Sequence, residues 1–294
     1  MRRPDIVLLG AGEGWHTARL EPALLAAGAV PSRISFTACG LAPGQPGVRL
    51  GRRTSLPDAV IVRAMPPGTF EQVTLRLGVL HALGLLGVTV INTAQAIERC
   101  VDKSMTGFLL TRAGLPTPPA WTVERLPEAA TIVEAEAALG NRLVAKPLFG
   151  AQGKGLRLVA RPEDLPEKAE AAGVWHLQRY VGREHGWQDH RVLVIGGRAV
   201  AAMERHGTNW ITNVRQGGVP RATAARGSLA RLAVAAAAAV GAFYAGVDLI
   251  ETDAGPTVLE VNSMPAWRGL QSVSEVDIAA ELARAMVAAV LAQA

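Results

Sequence analysis

Three side chains near the C-terminus combine residue types and a spacing that could bind a cation. Two apolar segments flank the turn-like sequence 252–256, which predicts an antiparallel hairpin. Side chains alternate along a strand, so Glu260 and Asn262 share one face, and Asp248 on the partner strand can join them. Two carboxylates and an amide oxygen suit Mg²⁺ and leave room for phosphate oxygens. Acids that are merely solvated at strand ends explain the spacing alone equally well.

Two lysines and a glycine-rich loop form a second group, with the chemistry of phosphate binding. Lys146 lies in the apolar segment 143–147, which is followed by the loop Gly150-Ala151-Gln152-Gly153-Lys154-Gly155. A buried lysine needs an anionic partner, and glycines expose backbone N–H groups that can bind phosphate. The order differs from a Walker P-loop, and such a loop alone is more often a hairpin turn. Lys103 could also reach phosphates, or it is a solvated lysine at a helix start.

Charged and polar side chains in the C-terminal half could face the same ligand. Arg191 and Arg205 lie in a hairpin that is otherwise apolar, and Asp189 is close to the first of them. Buried arginines imply anionic partners. Asn213 and Arg215 lie in a polar loop bounded by glycines, which could close over a bound molecule.

The elements that position these groups are of two kinds, and the first kind fills the N-terminal third. Apolar strands and helices alternate up to about residue 93, which predicts a small parallel-sheet lobe. The strands are predicted at 5–10, 34–38, 58–63 and 88–92, and the helices at 17–27 and 69–86. The glycine-rich turn after the first strand does not match the dinucleotide fingerprint, because its third glycine would fall at Trp15.

After residue 93 the pattern changes to helices mixed with antiparallel strands. Helices are predicted at 93–113 and 127–139, separated by the proline-rich connector 114–119. Strands are predicted at 120–123, 143–147, 156–160 and 173–181, and a hairpin joins 190–195 to 198–205. The alanine-rich stretch 232–247 is predicted to be a buried helix that leads into the hairpin of Asp248 and Glu260.

Composition describes a globular protein. Of the 294 residues, 49% are hydrophobic and 19% are charged, and the longest apolar stretch is too short to span a membrane. The apolar N-terminal segment is too short for a signal-peptide core, so we expect a cytoplasmic protein. Cys39 and Cys100 are isolated, which favours reduced, structural thiols. The net charge of +5 comes from scattered arginines and favours a small anion such as ATP over nucleic acid.

The order of these groups along the chain is more informative than any one of them. Lys103 comes first, followed by Lys146 at a strand end with its glycine-rich loop. A linker at 178–181 and the hairpin that carries two arginines come next, and the last group is Asp248 with Glu260-x-Asn262. This order resembles the ATP-grasp fold, and the motifs resemble those of RimK-type alpha-L-glutamate (amino-acid) ligases. They are Asp102-Lys103, Val144-Ala145-Lys146-Pro147 with Gln152-Gly153-Lys154-Gly155, Leu177-Gln178-Arg179-Tyr180-Val181, Asp189-His190-Arg191-Val192-Leu193-Val194, Val200-Ala201-Ala202-Met203-Glu204-Arg205, and Gly246-Val247-Asp248 with Glu260-Val261-Asn262-Ser263-Met264-Pro265.

The resemblance covers roughly residues 58–282 and implies a fold that combines α/β and α+β parts. It implies an N-terminal Rossmann-like (pre-ATP-grasp) lobe over residues 1–93. The central ATP-grasp lobe is then expected over 94–181, and the C-terminal ATP-grasp lobe over 182–294. The last two lobes would clamp ATP between them.

The resemblance also assigns roles to individual residues. The ATP-binding set is Lys103, Lys146, Gln152, Gly153, Gln178, Arg179, Tyr180, Val181, Asp189 and Arg191. Within it, the lysines meet phosphates, residues 178–181 form the adenine linker and Asp189 meets the ribose. The set at the reaction centre is Arg205, Asn213 and Arg215, and the set for Mg²⁺, with Mn²⁺ as an alternative, is Asp248, Glu260 and Asn262.

Single positions depart from the family pattern. Arg179 stands where an acidic residue is usual, which is compatible with a backbone contact to adenine. Gln216 stands where these ligases often carry arginine, and the neighbouring Arg215 is the candidate substitute. The loop Trp267-Arg268 is more aromatic than is usual, which bears on the identity of the substrate rather than on the type of reaction.

The first lobe and the loop Trp267-Arg268 are expected to shape the site of an acceptor. Arg63, at the end of a buried strand, could meet a carboxylate of the acceptor or form a structural salt bridge. Trp267 could stack on an aromatic acceptor, which favours a small molecule over a protein.

The implied reaction is carboxylate–amine ligation. A substrate carboxylate attacks the γ-phosphate of ATP, and an amine then displaces phosphate from the acyl phosphate to form an amide. We therefore expect an ATP-dependent ligase, a homo-oligomer with no membrane partner, that adds L-glutamate to a small, coenzyme-like acceptor. The open alternatives are a glutamate ligase for a protein C-terminus, a ligase for another amino acid, and a non-catalytic nucleotide- or nucleic-acid-binding protein.

Overall fold

The computed structural model describes residues 2–10, 12–42, 44, 47–150, 152–182 and 186–293. Its first lobe is a parallel sheet. The elements are β1 (Asp5–Leu9), α1 (Trp15–Ala26), β2 (Val30–Ile34), β3 (Cys39–Leu41), β4 (Val48–Leu50), β5 (Ala59–Val62), α2 (Phe70–Leu85) and β6 (Thr89–Ile91). Four of the strands are parallel in the order β2-β1-β5-β6, and β3 pairs with β4 as a separate hairpin.

The two faces of this sheet are covered by different helices. Ile6 and Leu8 pack with Leu20 and Leu24 of α1, whereas the alternate β1 side chains pack with α2. The parallel, doubly covered sheet explains why β1 and β5 read as continuous apolar runs. It confirms the predicted Rossmann-like lobe. The strand predicted at 34–38 is wrong, because β2 lies at 30–34 and the Ser35 side chain accepts a hydrogen bond from the Thr37 amide, which caps a 3₁₀ turn.

The central lobe is an antiparallel sheet with its own hydrophobic core. After α3 (Ala94–Val101) and α4 (Lys103–Arg112) come β7 (Ala120–Val123), α5 (Leu126–Ala138), β8 (Leu143–Lys146), β9 (Arg157–Val159) and β10 (Trp175–Arg179). The strand order is β7-β10-β8-β9. Its core includes Val133 of α5 together with Leu143, Trp175 and Leu177 of the sheet.

The C-terminal part is a five-stranded antiparallel sheet with a helix on each face. Its elements are β11 (Gln188–Ile195), β12 (Arg198–His206), β13 (Val219–Thr223), α6 (Gly227–Val240), β14 (Tyr244–Thr252), β15 (Gly255–Asn262), α7 (Arg268–Gln271) and α8 (Ile278–Leu291), and the strand order is β13-β12-β11-β14-β15. The predicted alanine-rich helix is α6, which ends at Gly241 in a left-handed conformation (φ 76°) before β14 begins.

The hydrophobic cores divide the chain differently from the predicted boundaries. Cys100 of α3 and Leu110 of α4 belong to the core between α6 and the five-stranded sheet, although both were predicted in the central lobe. Helix α8 packs on α1, so one core continues from the first lobe into the five-stranded sheet. The central lobe is thus the part with a separate core.

Asn92, directly after β6, joins the first lobe to the five-stranded sheet. Its side chain is fully buried. The amide nitrogen donates to the carbonyls of Tyr244 (2.8 Å) and Ser263 (2.6 Å), and the amide oxygen accepts from the backbone N–H groups of Phe243 (2.7 Å) and Tyr244 (3.2 Å). Every polar atom of this side chain is therefore bonded to the backbone that flanks β14 and β15.

The remaining predictions concern the cysteines and the membrane. Both thiols are buried and free, and burial raises the pKa of Cys39 to about 11 and that of Cys100 to about 12, which makes them unreactive. Across the described residues, every helix is too short or too polar to cross a bilayer.

Candidate active site

A cleft lies between the central sheet and the five-stranded sheet and encloses about 1180 Å³ of open space. Thirteen of the predicted site residues line it. They are Lys103, Lys146, Gln152, Gly153, Gln178, Arg179, Tyr180, Val181, Asp189, Arg205, Asn213, Asp248 and Glu260. Residues from five separate stretches of the chain therefore meet at one place, as the order of motifs predicts.

The two lysines reach the cleft from different elements. Asp102 caps α4 by accepting from the Ser104 amide (2.8 Å), which places Lys103 at the first turn of the helix. The Lys103 Nζ donates to the Gly150 carbonyl at 2.9 Å. Lys146 ends β8, and its Nζ donates to the Gln178 side-chain oxygen at 2.5 Å.

Neither lysine has a carboxylate in close contact. The nearest acid is Glu260, 3.9 Å from the Lys103 Nζ. Burial lowers the pKa of Lys146 to about 8, with Glu260 acting in the opposite direction and Lys103 adding to the decrease. Burial also lowers the pKa of Lys103, against the attraction of Glu260 and Asp102. Two partly uncompensated cations at one wall would suit a polyanion such as a triphosphate.

The glycine-rich loop meets the loop of the opposite lobe above the lysines. Gly153 has φ 71°, and a Cβ there would lie 2.6 Å from the Asn213 side-chain oxygen, so glycine permits this approach. The Gln216 side chain donates to the Gln152 carbonyl at 3.4 Å. Gln216 thus contacts the loop backbone, whereas Arg215 is exposed and does not line the cleft. The structure does not support Arg215 as the substitute for the usual arginine.

Two arginines and two aspartates form a buried cluster at the floor of the cleft. Arg205 pairs with Asp189 through two hydrogen bonds, one of them 2.7 Å long, and with Asp248 at 3.2 Å. Arg191 holds both oxygens of Asp248, at 2.7 and 2.6 Å. These residues are brought together because β11 pairs with β12 on one side and with β14 on the other.

The ion pairs keep Asp248 charged despite its burial. Asp248 is 4% exposed, and burial alone would raise the pKa of its carboxyl group. Arg191 and Arg205 overcome that effect and hold the pKa of Asp248 below its ordinary value. The cluster is formally neutral, so it fixes geometry without adding positive charge to the cleft. Arg191 lies behind Asp248 and is not part of the cleft wall, contrary to its predicted contact with ATP.

The predicted cation ligands lie side by side on the hairpin of β14 and β15. Asp248 is paired with Glu260, and Gly246 with Asn262. A carboxylate has about four acceptor positions, and the arginines occupy three on Asp248. Glu260 has no hydrogen-bond partner among the described residues and pairs only with Lys103, at 3.9 Å. The Asn262 amide nitrogen donates to the Gly246 carbonyl (3.4 Å), and no described residue donates to the Asn262 amide oxygen.

This donor set fits Mg²⁺ when the ligand supplies further oxygens. No three His, Cys, Asp or Glu side chains within the described ranges could hold a metal by themselves. A site at Asp248, Glu260 and Asn262 therefore depends on one amide oxygen and on the phosphates of a bound nucleotide, which is how Mg²⁺ is usually held.

The linker after β10 presents its backbone to the cleft. The Arg179 side chain forms a two-pronged ion pair with Glu136 of α5 (2.7 and 2.8 Å), which directs it away from a ligand. The amides of Arg179 and Tyr180 are occupied by Pro119 and Arg142. The amide of Val181 has no partner among the described residues. The backbone role predicted for this linker is thus compatible with Val181.

Two tryptophans in the cleft wall were not predicted. Trp210 lies edge-on to Tyr180, with 6.2 Å between the ring centroids, and Trp187 lines the same region. Both stand in polar, glycine-bounded segments. A tryptophan in a polar loop has no neighbouring apolar residues in sequence to pack with. This pattern could have indicated that the two rings line a binding cleft.

The predicted acceptor residues lie away from the cleft, on the first lobe and the loop after β15. Arg63 is buried and donates to the Tyr244 hydroxyl (3.1 Å) and the Pro265 carbonyl (3.4 Å), so the predicted alternative of a structural salt bridge is wrong for the described residues. Trp267 is 1% exposed and packs edge-on against Trp15 and His16. Its ring has no free face for an aromatic acceptor, which corrects the predicted stacking. Arg268 is exposed at the start of α7.

Comparison with known proteins identifies relatives across most of the chain. A model of the RimK-like ATP-grasp domain matches residues 100–286. The tetrahydromethanopterin:alpha-L-glutamate ligase of Methanococcus maripaludis is 38% identical over 202 residues, which cover 66% of this chain and 68% of that protein. A probable alpha-L-glutamate ligase of Sodalis glossinidius is 33% identical over 235 residues, covering 78% of this chain and 77% of that protein.

Solved structures share the fold over nearly the whole length. The ATP-grasp ligase PsnB, complexed with a phosphomimetic variant of its minimal precursor, Mg and ADP, has a TM-score of 0.72 at 24% identity. The likeness covers 98% of each chain. At this identity it speaks for the fold alone, and it confirms the predicted ATP-grasp architecture.

Proposed function

Because the chain belongs to the RimK-like ATP-grasp family of carboxylate–amine ligases, we propose that it uses MgATP to join L-glutamate to a carboxylate of a small-molecule acceptor. The ligase class excludes the non-catalytic alternative. Glutamate and the small acceptor are supported by relatives that are named tetrahydromethanopterin:alpha-L-glutamate ligase and probable alpha-L-glutamate ligase.

The observation that supports the proposal most directly is the distribution of charge at the floor of the cleft. Lys103 and Lys146 have no close carboxylate, while Arg191 and Arg205 are neutralised by Asp189 and Asp248. A bound triphosphate would therefore pair with the lysines. Glu260, 3.9 Å from Lys103, lies where a cation bound by the phosphates would also be held.

The chain's own residues account for the charge that moves in the reaction. The acceptor carboxylate attacks the γ-phosphorus, the bond from that phosphorus to the β,γ-bridging oxygen breaks, and ADP leaves with the negative charge. Lys146 and Lys103 stabilise that charge on ADP. The glutamate amine then attacks the acyl phosphate, phosphate departs, and the nitrogen loses a proton to give the amide.

A divalent cation would be held by Glu260, Asn262 and the free acceptor position of Asp248, where it would offset phosphate charge. The meeting of the Gly153 and Asn213 loops above the lysines would exclude water from the acyl phosphate. No side-chain nucleophile is needed for this sequence of steps.

A ligation assay tests the proposal. The purified protein is incubated with ATP, Mg²⁺, L-glutamate and a panel of small carboxylic acids and peptide C-termini, and ADP release and product mass are measured. We expect ADP release that needs both substrates and a product heavier by one glutamyl residue. The Glu260→Gln variant should lose ligation with its fold intact, and full activity of that variant would overturn the cation assignment. Turnover with another amino acid, or with peptides only, would overturn the glutamate or small-acceptor assignment.

A further inference from the structure

His176 is a buried histidine beside Lys146 that the chemistry above does not use. It lies in β10 and is 3% exposed. In the pairing of β8 with β10 it stands directly opposite Lys146, so the two side chains are neighbours on the same face of the sheet. Gln178 follows on that face of β10 and accepts from the Lys146 Nζ. His176 and Gln178 are therefore the two polar neighbours that β10 provides for Lys146.

A side chamber next to the ATP cleft is lined by His176. The chamber encloses about 370 Å³ of open space between α4, β10 and β15. It shares Lys103, Lys146, Gln178 and Glu260 with the cleft, whereas His176 lines the chamber and is absent from the described wall of the cleft. His176 is thus placed to act on Lys146 without occupying the space of the nucleotide.

The surroundings of the imidazole favour one neutral tautomer. Its Nδ1 is 2.8 Å from the Thr122 Oγ1. Its Nε2 has no hydrogen-bond partner among the described residues, but it is not one of their fully enclosed polar atoms, so it borders open space. Burial, then Lys146 and Lys103, lower the pKa of His176 to about 4 against the attraction of Asp102, so the ring is neutral at pH 7. Positive neighbours favour the form that donates its Nδ1 proton to Thr122 and presents the Nε2 lone pair.

Lys146 lacks acceptors of this kind. An ammonium group has three N–H donors, and Gln178 accepts from one of them. The charged groups that act on Lys146 are Glu260, Lys103 and Asp248, and none of the described carboxylates is in close contact with it. A buried N–H group without an acceptor costs free energy. A neutral acceptor removes this cost and, unlike a carboxylate, leaves the positive charge available to a phosphate.

We propose that His176 is a positioning residue for Lys146, whose ammonium group donates to the His176 Nε2 through a water molecule in the side chamber. Neighbours across a strand pair that share no direct hydrogen bond leave room for such a water, and the hydroxyl groups of Thr106 and Thr117 in the chamber wall give it further partners. The third N–H group of Lys146 is then left for a phosphate oxygen. This inference rests on the proposed function, in which Lys146 binds the phosphates.

The tautomer of His176 is measured on the wild-type protein. A long-range proton–nitrogen NMR spectrum of protein labelled with nitrogen-15 in its histidines distinguishes a proton on Nδ1 from one on Nε2, and the His176→Gln variant identifies the signals. We expect a neutral ring with its proton on Nδ1 at pH 7, with and without MgADP. A proton on Nε2, or a charged ring, would overturn the proposal, because neither form can accept from Lys146.

The pH dependence of nucleotide binding tests the effect on Lys146. The Kd of MgADP is measured by calorimetry from pH 6 to pH 9 in the wild type, His176→Leu and His176→Gln. Loss of the acceptor should lower the pKa of Lys146 by about one unit, which would raise the Kd about fivefold at pH 8 and leave it nearly unchanged at pH 6. His176→Gln retains an acceptor and should follow the wild type. The control is His81→Leu, because His81 is a first-lobe histidine already paired with Glu98.

A role of His176 in packing alone predicts a different result. The Kd of MgADP would then rise equally at pH 6 and pH 8 in His176→Leu, and His176→Gln would not restore it; either result would overturn the proposal. If His176→Leu unfolds, the tautomer in the wild type still decides. Failure of the ligase function would appear as absent ADP release with the expected tautomer and pH profile, which would leave the link between His176 and Lys146 intact.

Discussion

Two pairs of cations, one lining the cleft and one at or behind its floor, differ in the partners that the structure gives them. Lys103 and Lys146 reach the cleft with backbone and amide oxygens as partners, and their nearest carboxylate is 3.9 Å away. Arg191 and Arg205 lie in adjacent strands and are locked to aspartates through charge-assisted hydrogen bonds. The lysines have no carboxylate at hydrogen-bonding distance among the described residues, whereas the arginines are already paired with aspartates.

The difference shows what each pair contributes. A guanidinium matches a carboxylate with two parallel hydrogen bonds and keeps its charge when buried, so it suits a permanent ion pair. An ammonium group shifts its pKa readily when buried. The arginines therefore hold Asp248 in place, and the lysines leave positive charge available for phosphate. Substitutions in the arginine pair should therefore affect stability, and substitutions in the lysine pair should affect catalysis.

The largest effect is expected from breaking the arginine pair. Asp189→Asn removes a carboxylate that is 6% exposed and leaves Arg205 underneutralised. Loss of one partner of a buried pair costs about 3–5 kcal/mol in the free energy of unfolding. Chemical denaturation checks this, with Asp253→Asn, in the exposed turn between β14 and β15, as the control. An unchanged midpoint in Asp189→Asn would mean that the cluster is not structural.

The next effect should appear in catalysis alone. Lys146→Met keeps the length of the side chain and removes its charge, which should lower kcat by about 10²–10³, or about 2.7–4 kcal/mol in the barrier. The free energy of unfolding should not fall, because no carboxylate pairs closely with Lys146 and the substitution leaves no buried charge without a partner. Steady-state ADP release and denaturation are measured together, and Lys168→Met, an exposed lysine of the central lobe, is the control. A loss of stability as large as that of Asp189→Asn would contradict the claim that the lysines contribute to catalysis rather than to stability.

A smaller effect is expected from pH. The pKa of Lys146 is lowered to about 8, so its charge is present below that pH and is lost as the pH rises through it. The association constant for MgADP should therefore fall about tenfold between pH 7 and pH 9. Titration calorimetry at several pH values measures the decrease. Lys146→Arg stays charged and should give a shallower profile than the wild type, because the lowered pKa of Lys103 still contributes. A flat profile in the wild type would contradict the lowered pKa of Lys146.

The smallest effect should come from making the lysine pair resemble the arginine pair. Gln178→Glu places a carboxylate at the atom that now accepts from the Lys146 Nζ. An opposite charge at this distance raises a lysine pKa by about 1–3 units, so the pH profile should shift to higher pH. Affinity for MgADP at pH 7 should decrease severalfold, because the lysine would now be neutralised in advance. Tighter binding at pH 7 would show that pairing Lys146 with a carboxylate does not reduce the affinity for MgADP.

Local sequence patterns were sufficient for the hairpin of β14 and β15. The turn and the two apolar segments predict that the hairpin exists, but they do not predict its register. A β-bulge between Asp248 and Leu249 shifts the pairing by one residue and brings Asp248 opposite Glu260. The partners of Arg191 and Arg205 were beyond prediction, because they depend on β11 lying between β12 and β14. That arrangement is a property of the sheet and leaves no trace in the local pattern of any one strand.

The position of Trp267 was unpredictable for a similar reason. Its amide bonds His16, a residue 251 positions away in the chain, and its ring is enclosed where α1 meets the loop after β15. From the sequence alone, an aromatic residue in a loop is expected to contact a ligand, because the residues of the other lobe that enclose it cannot be identified. The same uncertainty applied to Arg63, whose partners, the Tyr244 hydroxyl and the Pro265 carbonyl, appear only when both lobes are in place.

The attachment of the first lobe by Asn92 determines which parts of the molecule are packed together. With four hydrogen bonds at Asn92 and a shared core, the first lobe and the five-stranded sheet form one packed unit. The central lobe has a separate core and is joined to this unit by the connector before β7, where the Val258 amide donates to the Pro116 carbonyl (2.8 Å). Lys146 therefore belongs to one unit and the Asp248–Glu260 hairpin to the other. A change in the angle between the two units would alter the distance between Lys146 and Glu260 while leaving the hairpin in place against the first lobe.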